Sequence, residues 1–260
     1  MRTSAVIMPF FALFSGAAGF YLRLLELWNV FDKRTGLPAR GATVTYALIA
    51  LSAVFLIVAM AFALRAGMDY KSPQGFENAF GAESLGYPFV FFVLGLIWLG
   101  ATVKYFIDMN ADGVSPNSEL IFAILSALSA ISLSLFAIEI YQNPRRKSKL
   151  ALSIVPTVFM CYWLIFLYRD NAANPILLRY CYQCLALIAS TLGFYYTSAY
   201  AYEKQAPGRA IFLYFAAIFF CFVSLADDQE SSIKLIYIVL IAVNAVNSSL
   251  LIRNMEKKAH

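Results

Sequence analysis

Apolar residues run along this chain in long unbroken stretches, and short polar clusters punctuate them. Crossing the hydrocarbon layer of a bilayer takes about 20 apolar residues in a helix, and stretches of that length recur throughout. Backbone in lipid must satisfy its own donors and acceptors, which a helix does within one segment. The alternation of outward apolar and inward polar residues that marks a barrel strand is missing. The pattern predicts helices over 5–28, 42–64, 87–107, 119–141, 150–168, 175–202, 209–225 and 232–252. The fold class is therefore all-α: a polytopic membrane protein of about eight transmembrane helices in a single integral membrane domain, 1–260.

The polar clusters alternate in sign, most clearly over 87–141. An apolar run ends in an acidic tip from Asp108 to Glu119; a second run returns to Tyr141 and meets the basic run Arg145, Arg146, Lys147 and Lys149. Odd-numbered runs end in acids (Asp32, Asp108, Asp170, Asp227 with Asp228) and even-numbered runs end in bases (Arg65, the 145–149 run, Lys204 with Arg209, Arg253 with Lys257 and Lys258). Pro38, Pro116 and Pro175 follow three of the acidic tips, and proline starts a helix without losing a needed donor. Four sequential helical hairpins fit this rhythm.

Lysine and arginine concentrate on the cytoplasmic side of membrane proteins. The larger share of the 20 basic residues, the 145–149 run above all, falls on the side of the chain ends, although Lys33, Arg34 and Arg40 oppose that bias. The expectation is a cell-membrane protein with both termini cytoplasmic. Met1-Arg2 and the small residues of 15–19 have the look of a secretory leader. The apolar run continues to Leu25, beyond a leader core, and is read as an uncleaved first helix. In the longest connection, 66–86, Phe76 and Phe80 stand four apart, as on a short interfacial helix.

Composition narrows the function classes. The chain is 61% hydrophobic and 13% charged, against roughly a quarter charged in soluble domains. The net charge of +5 gathers at helix ends, so its partners are the lipid bilayer and its anionic headgroups, at Arg145–Lys149 first, and not nucleic acid. Cys161, Cys181, Cys184 and Cys221 lie within apolar runs and imply no disulfide framework. Cys181 and Cys184 lack the two further ligands that zinc needs.

Two constellations carry candidate chemistry. The tip Asp108-Met-Asn110-Ala-Asp112-Gly113-Val114-Ser-Pro-Asn-Ser-Glu119 satisfies D-x-[DN]-x-[DN]-G-x5-E. It resembles, over these twelve residues alone, the calcium loop of EF-hand proteins. The resemblance implies oxygen ligands from Asp108, Asn110, Asp112, the Val114 carbonyl and Glu119, and weak Ca2+ binding in about the millimolar range. Pro116 and Ser115 depart from the usual pattern, and turn chemistry alone also accounts for Asp, Asn, Gly and Pro here. The second constellation is charge at the acidic-tip end of the helices: Arg23 with Glu26, Lys104 with Asp108, and Arg179 with Gln183. Ionisable groups at membrane depth usually face a bundle interior or a wet cavity. Arg23, Glu26, Lys104, Arg179 and Gln183 are thus candidates to line an outward-facing polar vestibule for a small anionic or zwitterionic ligand; local snorkelling is the alternative.

Small residues recur at Ser126, Ala130 and Ser134 and at Ser15 and Gly19, a spacing that lets helices approach closely. Asn244 and Asn247 suit hydrogen bonding between helices. The only histidine is His260, which leaves no Ser-His-Asp triad or histidine-ligated metal centre. These features favour a non-enzymatic ligand-handling protein: a small transporter, a permease component or a membrane receptor. A structural protein packed against a partner's helices is the alternative. A metal-assisted lipid-modifying enzyme is the third reading, and it requires Asp108, Asp112 and Asp227 to converge on one ion.

Overall fold

The computed structural model describes residues 4–32, 37–39, 41–81, 85–111, 117–142, 149–172 and 176–257, without the side chains of 77, 111, 138–142, 149–151, 153 and 257. Each long apolar run forms one helix: α1 (Ser4–Asn29), α2 (Thr43–Asp69), α4 (Gly86–Ala111), α5 (Asn117–Gln142), α6 (Lys149–Asp170), α7 (Cys181–Ala201), α8 (Pro207–Ser224) and α9 (Ser231–Asn254). A short helix α3 (Gly75–Phe80) and a two-stranded pairing of β1 (Tyr70–Lys71) with β2 (Glu256–Lys257) complete the described elements. Six helices, α1, α2, α4, α5, α8 and α9, are long and apolar enough to cross a membrane. This is an all-helical membrane-embedded protein.

Sequential helices pack on one another, and the bundle is organised from its C-terminal end. About two thirds of the apolar window of α8 and of α9 is buried, against about a third or less for α1 and α2. α8 packs against α1, α2, α7 and α9, while α9 also touches α1 and α4. The side chains of Phe215, Phe219, Tyr214 and Tyr237 are fully enclosed as a result. Arranged outside this pair, α4, α5 and α6 join α7 and α9 around a common axis, where Phe91, Phe136, Phe194, Thr197 and Asn247 surround a small void.

Small residues set the closest helix approaches. A Cβ on Gly95 of α4 would lie only 2.1 Å from Ser134 Oγ and 3.0 Å from the Ala130 carbonyl of α5. The Ser126–Ala130–Ser134 stripe therefore receives α4. Trp98 Nε1 donates to Ser126 Oγ at 3.0 Å, and the Thr102 and Ser126 hydroxyls are 2.7 Å apart, so these buried polar groups satisfy one another. On α1, Gly16 and Gly19 meet Phe222, Phe219 and Val223 of α8 in the same manner.

The 66–86 connection folds onto the protein. Phe76 and Phe80 of α3 are buried against Phe136 and Tyr200, and the Asn254 amide donates to the Ala79 and Gly81 carbonyls at 3.0 Å. Four-residue spacing gave these rings one face, and that face meets protein instead of headgroups. Of the basic run 145–149, residues 145–148 lie outside the described residues, as does the side chain of Lys149.

Candidate functional site

Arg23 lies two turns before the end of α1 and is completely buried. Glu26, three residues on, shares its helix face, and its Oε2 accepts a hydrogen bond from Arg23 Nη1 at 2.6 Å. Nε donates to Asp227 Oδ1 at 2.8 Å, from the turn between α8 and α9. Nη2 donates to the carbonyls of Leu178 and Arg179, at 3.1 and 3.0 Å, in the 3-10 turn Leu177–Arg179 that precedes α7. The guanidinium also stands 5.1 Å from the Tyr182 ring. One side chain thereby stitches α1, the α7 approach and the α8–α9 turn into one unit.

Two carboxylates face this one cation. Glu26 Oε1 is buried with no hydrogen-bond partner among the described residues. Asp227 Oδ2 accepts from Gln183 Nε2 of α7 at 3.0 Å. Burial pushes the Asp227 carboxyl above its ordinary range, outweighing the opposing pull of Arg23 and of the Gln183 and Arg23 hydrogen bonds.

Gln183 also lines a cavity of about 420 Å³ at the acidic-tip end of the α4–α5–α6–α7–α9 group. Its described lining holds four carboxylates (Glu119, Asp170, Asp228 and Glu230) and no lysine or arginine. Tyr105, Trp163, Phe166 and Tyr237 supply aromatic wall, with Trp163 and Tyr237 rings 5.1 Å apart. Glu119 in the first turn of α5 and Glu230 at the N-cap of α9 complement the positive ends of those helices. Asp170 is the last residue of α6, where the helix dipole disfavours a carboxylate, and no base pairs with it among the described residues. Gln229 approaches Tyr237, yet its buried amide atoms have no partner in good hydrogen-bonding geometry among the described residues. Arg169, the nearest base in sequence, turns aside to Ser118 Oγ at 2.8 Å and stacks over Phe166.

Of the residues expected to form a vestibule, Arg23, Glu26 and Gln183 meet in one network through Asp227, joined by the Arg179 carbonyl, while Lys104 stands apart. Arg23 and Glu26 are sealed inside the bundle, and Arg179 lies over the Phe31 ring. Lys104 is an exposed partner of Asp108 on α4, at 2.7 Å. Of the five, Gln183 reaches the cavity. The sequence offers Asp227 as a tip acid and as a metal ligand of the enzyme reading, but its 204-residue separation from Arg23 carries no signal of their pairing.

The calcium-loop residues are likewise divided. α4 continues through Ala111, so Asp108 and Asn110 are helical, and two helical steps turn their side chains to nearly opposite faces. Asp108 is paired with Lys104, and the Asn110 amide donates to the Phe106 carbonyl at 2.8 Å. Glu119 faces the acidic cavity, and Asp112 and Val114 lie outside the described residues. Of the three carboxylates needed by the enzyme reading, Asp108 and Asp227 are held by different bases. Among the described residues no three Cys, His, Asp or Glu side chains gather as a metal-ion site.

The fold and this site define the class: an all-α integral membrane protein with an acidic, aromatic-walled cavity at one end of its helices. No family model matches the chain, and neither a curated protein nor a solved structure matches it.

Proposed function

We propose that this is a non-enzymatic ligand-handling membrane protein, a transporter or receptor, whose tip-end cavity takes a small organic cation. In this reading the eight long helices cross the bilayer as four hairpins, both termini are cytoplasmic and the cavity faces outward. The observation that carries it is the cavity lining: four carboxylates and four aromatic rings, with no base among the described residues. The carboxylates are spread around the wall and do not converge as a metal cage. A diffuse negative field beside aromatic faces suits a cation that keeps its own substituents, such as a quaternary ammonium, which cation–π contacts stabilise by about 0.5–2 kcal/mol per ring. The basic residues suggested an anionic or zwitterionic ligand; the proposed ligand is a cation because Arg23 and Lys104 are paired with carboxylates and neither they nor Arg179 line the cavity.

The test uses the full chain in lipid nanodiscs titrated with tetramethylammonium chloride, with potassium chloride as the ionic-strength control. Trp163 in the wall gives an intrinsic fluorescence signal. The expected result is saturable quenching by tetramethylammonium alone, with affinity lowered in Phe166→Leu, which removes a wall ring and keeps the Trp163 reporter, by roughly two- to thirtyfold and in Asp170→Asn as well. Equal responses to both salts, or an unchanged affinity in Asp170→Asn, would refute the reading.

A further inference from the structure

The opposite end of the helices carries a different cavity. A groove of about 680 Å³ runs between α2 and α7 over the first turns of α8. Its sides are apolar, from Met60 and Leu64 of α2, Leu192 of α7 and Phe212 of α8. Met60, Leu64 and Leu192 are all substantially exposed, and the groove lies along α2 and α8, both long and apolar enough to cross a membrane. The groove therefore opens sideways, toward hydrocarbon. Its floor is fixed by a backbone contact: a Cβ on Gly208 would lie 2.8 Å from the Ala63 carbonyl, so α8 meets α2 with no side chain between them.

The mouth has one charge. Arg209 is the only ionisable group except Tyr196 in the described lining, and no carboxylate opposes it. Beside it, α8 begins at Pro207 without a side-chain cap, and the first helical hydrogen bond is made by Ala210 N–H to Ala206 O. Pro207 has no N–H to offer, so Gly208 and Arg209 present the amides of that first turn. An apolar slot open to lipid, with a single uncompensated cation at its aqueous end, has the charge pattern of a phospholipid carrying a net negative headgroup.

We propose that this groove is a binding site for one anionic phospholipid, an acyl chain lying between α2 and α7 and the headgroup phosphate resting on Arg209. A protein helix would need an acidic group of its own placed at Arg209, whereas an anionic phospholipid joins its charge to an apolar chain in one molecule, matching a groove with one cation and apolar sides. The lipid contributes to holding α2 against α8, the approach that the Gly67–Gly208 contact leaves without interdigitating side chains. It acts at the far end of the bundle from the cation cavity and does not depend on that reading.

The experiment is native mass spectrometry of the full chain released from nanodiscs of equal phosphatidylglycerol and phosphatidylcholine. One retained phosphatidylglycerol per chain is expected, preferred over phosphatidylcholine by about fivefold or more, the value of one basic residue at an anionic surface. Arg209→Gln should abolish the preference while leaving the protein folded. Leu64→Trp, at an exposed wall position, should block retention of both lipids. Equal retention of the two lipids, an unaltered preference in Arg209→Gln, or a co-purifying polypeptide in place of lipid would each overturn the proposal.

Discussion

Replacing Arg23 with methionine tests the physical core of the structure. Arg23 is fully buried, and its guanidinium donates to Glu26, Asp227 and two backbone carbonyls. Methionine fills much of the same space but leaves two carboxylates facing one another without a cation. Removing one partner of a buried ion pair costs about 3–5 kcal/mol, because the remaining charge stays desolvated. For a chain of this size each kcal/mol lowers the melting temperature by roughly 2–4 °C. The Arg23→Met variant should therefore melt about 6–20 °C below the parent. Thermal unfolding followed by a thiol-reactive dye suits this protein: Cys221 is fully enclosed and reports unfolding, while exposed Cys161 sets the starting signal.

The decisive arm is the triple variant Arg23→Met, Glu26→Gln, Asp227→Asn. If stranded charge causes the loss, neutralising both acids restores most of it, since a buried ionic cluster replaced as a whole is often close to neutral. A single variant within 3 °C of the parent, a threshold of about 1 kcal/mol, would refute the reasoning. So would a triple variant no more stable than the single one.

Two further outcomes follow from local geometry. Asp227 holds its proton more tightly in the folded protein than its ordinary value of 3.8 implies. Its protonation therefore favours folding below that value, and the benefit is lost as pH rises through the raised folded pKa. Stability measured by denaturation across pH 3.5–8 should fall through that window in the parent and be flatter in Asp227→Asn; superimposable profiles would count against it. On α4, Gly95→Ala should destabilise, by about 1–3 kcal/mol for overpacking, because its Cβ would strike Ser134 and the Ala130 carbonyl. Gly100→Ala on the same helix meets nothing within 4 Å and should stabilise, by up to about 1 kcal/mol of helix propensity. Melting temperatures moving in the same direction for both variants would show that the α4–α5 approach is not as close as described.

The helices were legible because length and hydropathy are one-dimensional properties. Their packing order was not. A helix that is apolar all round reads alike whether it faces lipid or protein, so nothing in 209–225 or 232–252 distinguished the central pair α8 and α9 from the peripheral α1 and α2. The α7 start also moved, from 175 to Cys181, because Leu177–Arg179 forms a 3-10 turn whose carbonyls serve Arg23. The acids of the cavity were hidden for another reason. Glu119, Asp170, Asp228 and Glu230 come from three separate tips, and each alone passes for a cap or a turn residue. The calcium-loop pattern is a local spacing rule that presumes a loop from its first position, whereas α4 keeps Asp108 and Asn110 helical, and Asp112 and Val114 lie outside the described residues.

The proposal of a cationic ligand, against the anionic or zwitterionic one expected from the sequence, rests in part on where Arg23 sits. A buried guanidinium beside a cavity would ordinarily repel a cation and attract an anion, which is why basic residues near these tips suggested an anion site. Here Arg23 is held by two carboxylates, Glu26 at 2.6 Å and Asp227 at 2.8 Å, which oppose its positive field. Gln183 lies between, donating to Asp227 while lining the cavity, and it brings no charge of its own. Lys104 is neutralised in the same way by Asp108, and Arg169 is drawn off to Ser118 and Phe166. In the proposed reading the described lining of the cavity therefore holds carboxylates and no base, and these carboxylates set the sign of the ligand.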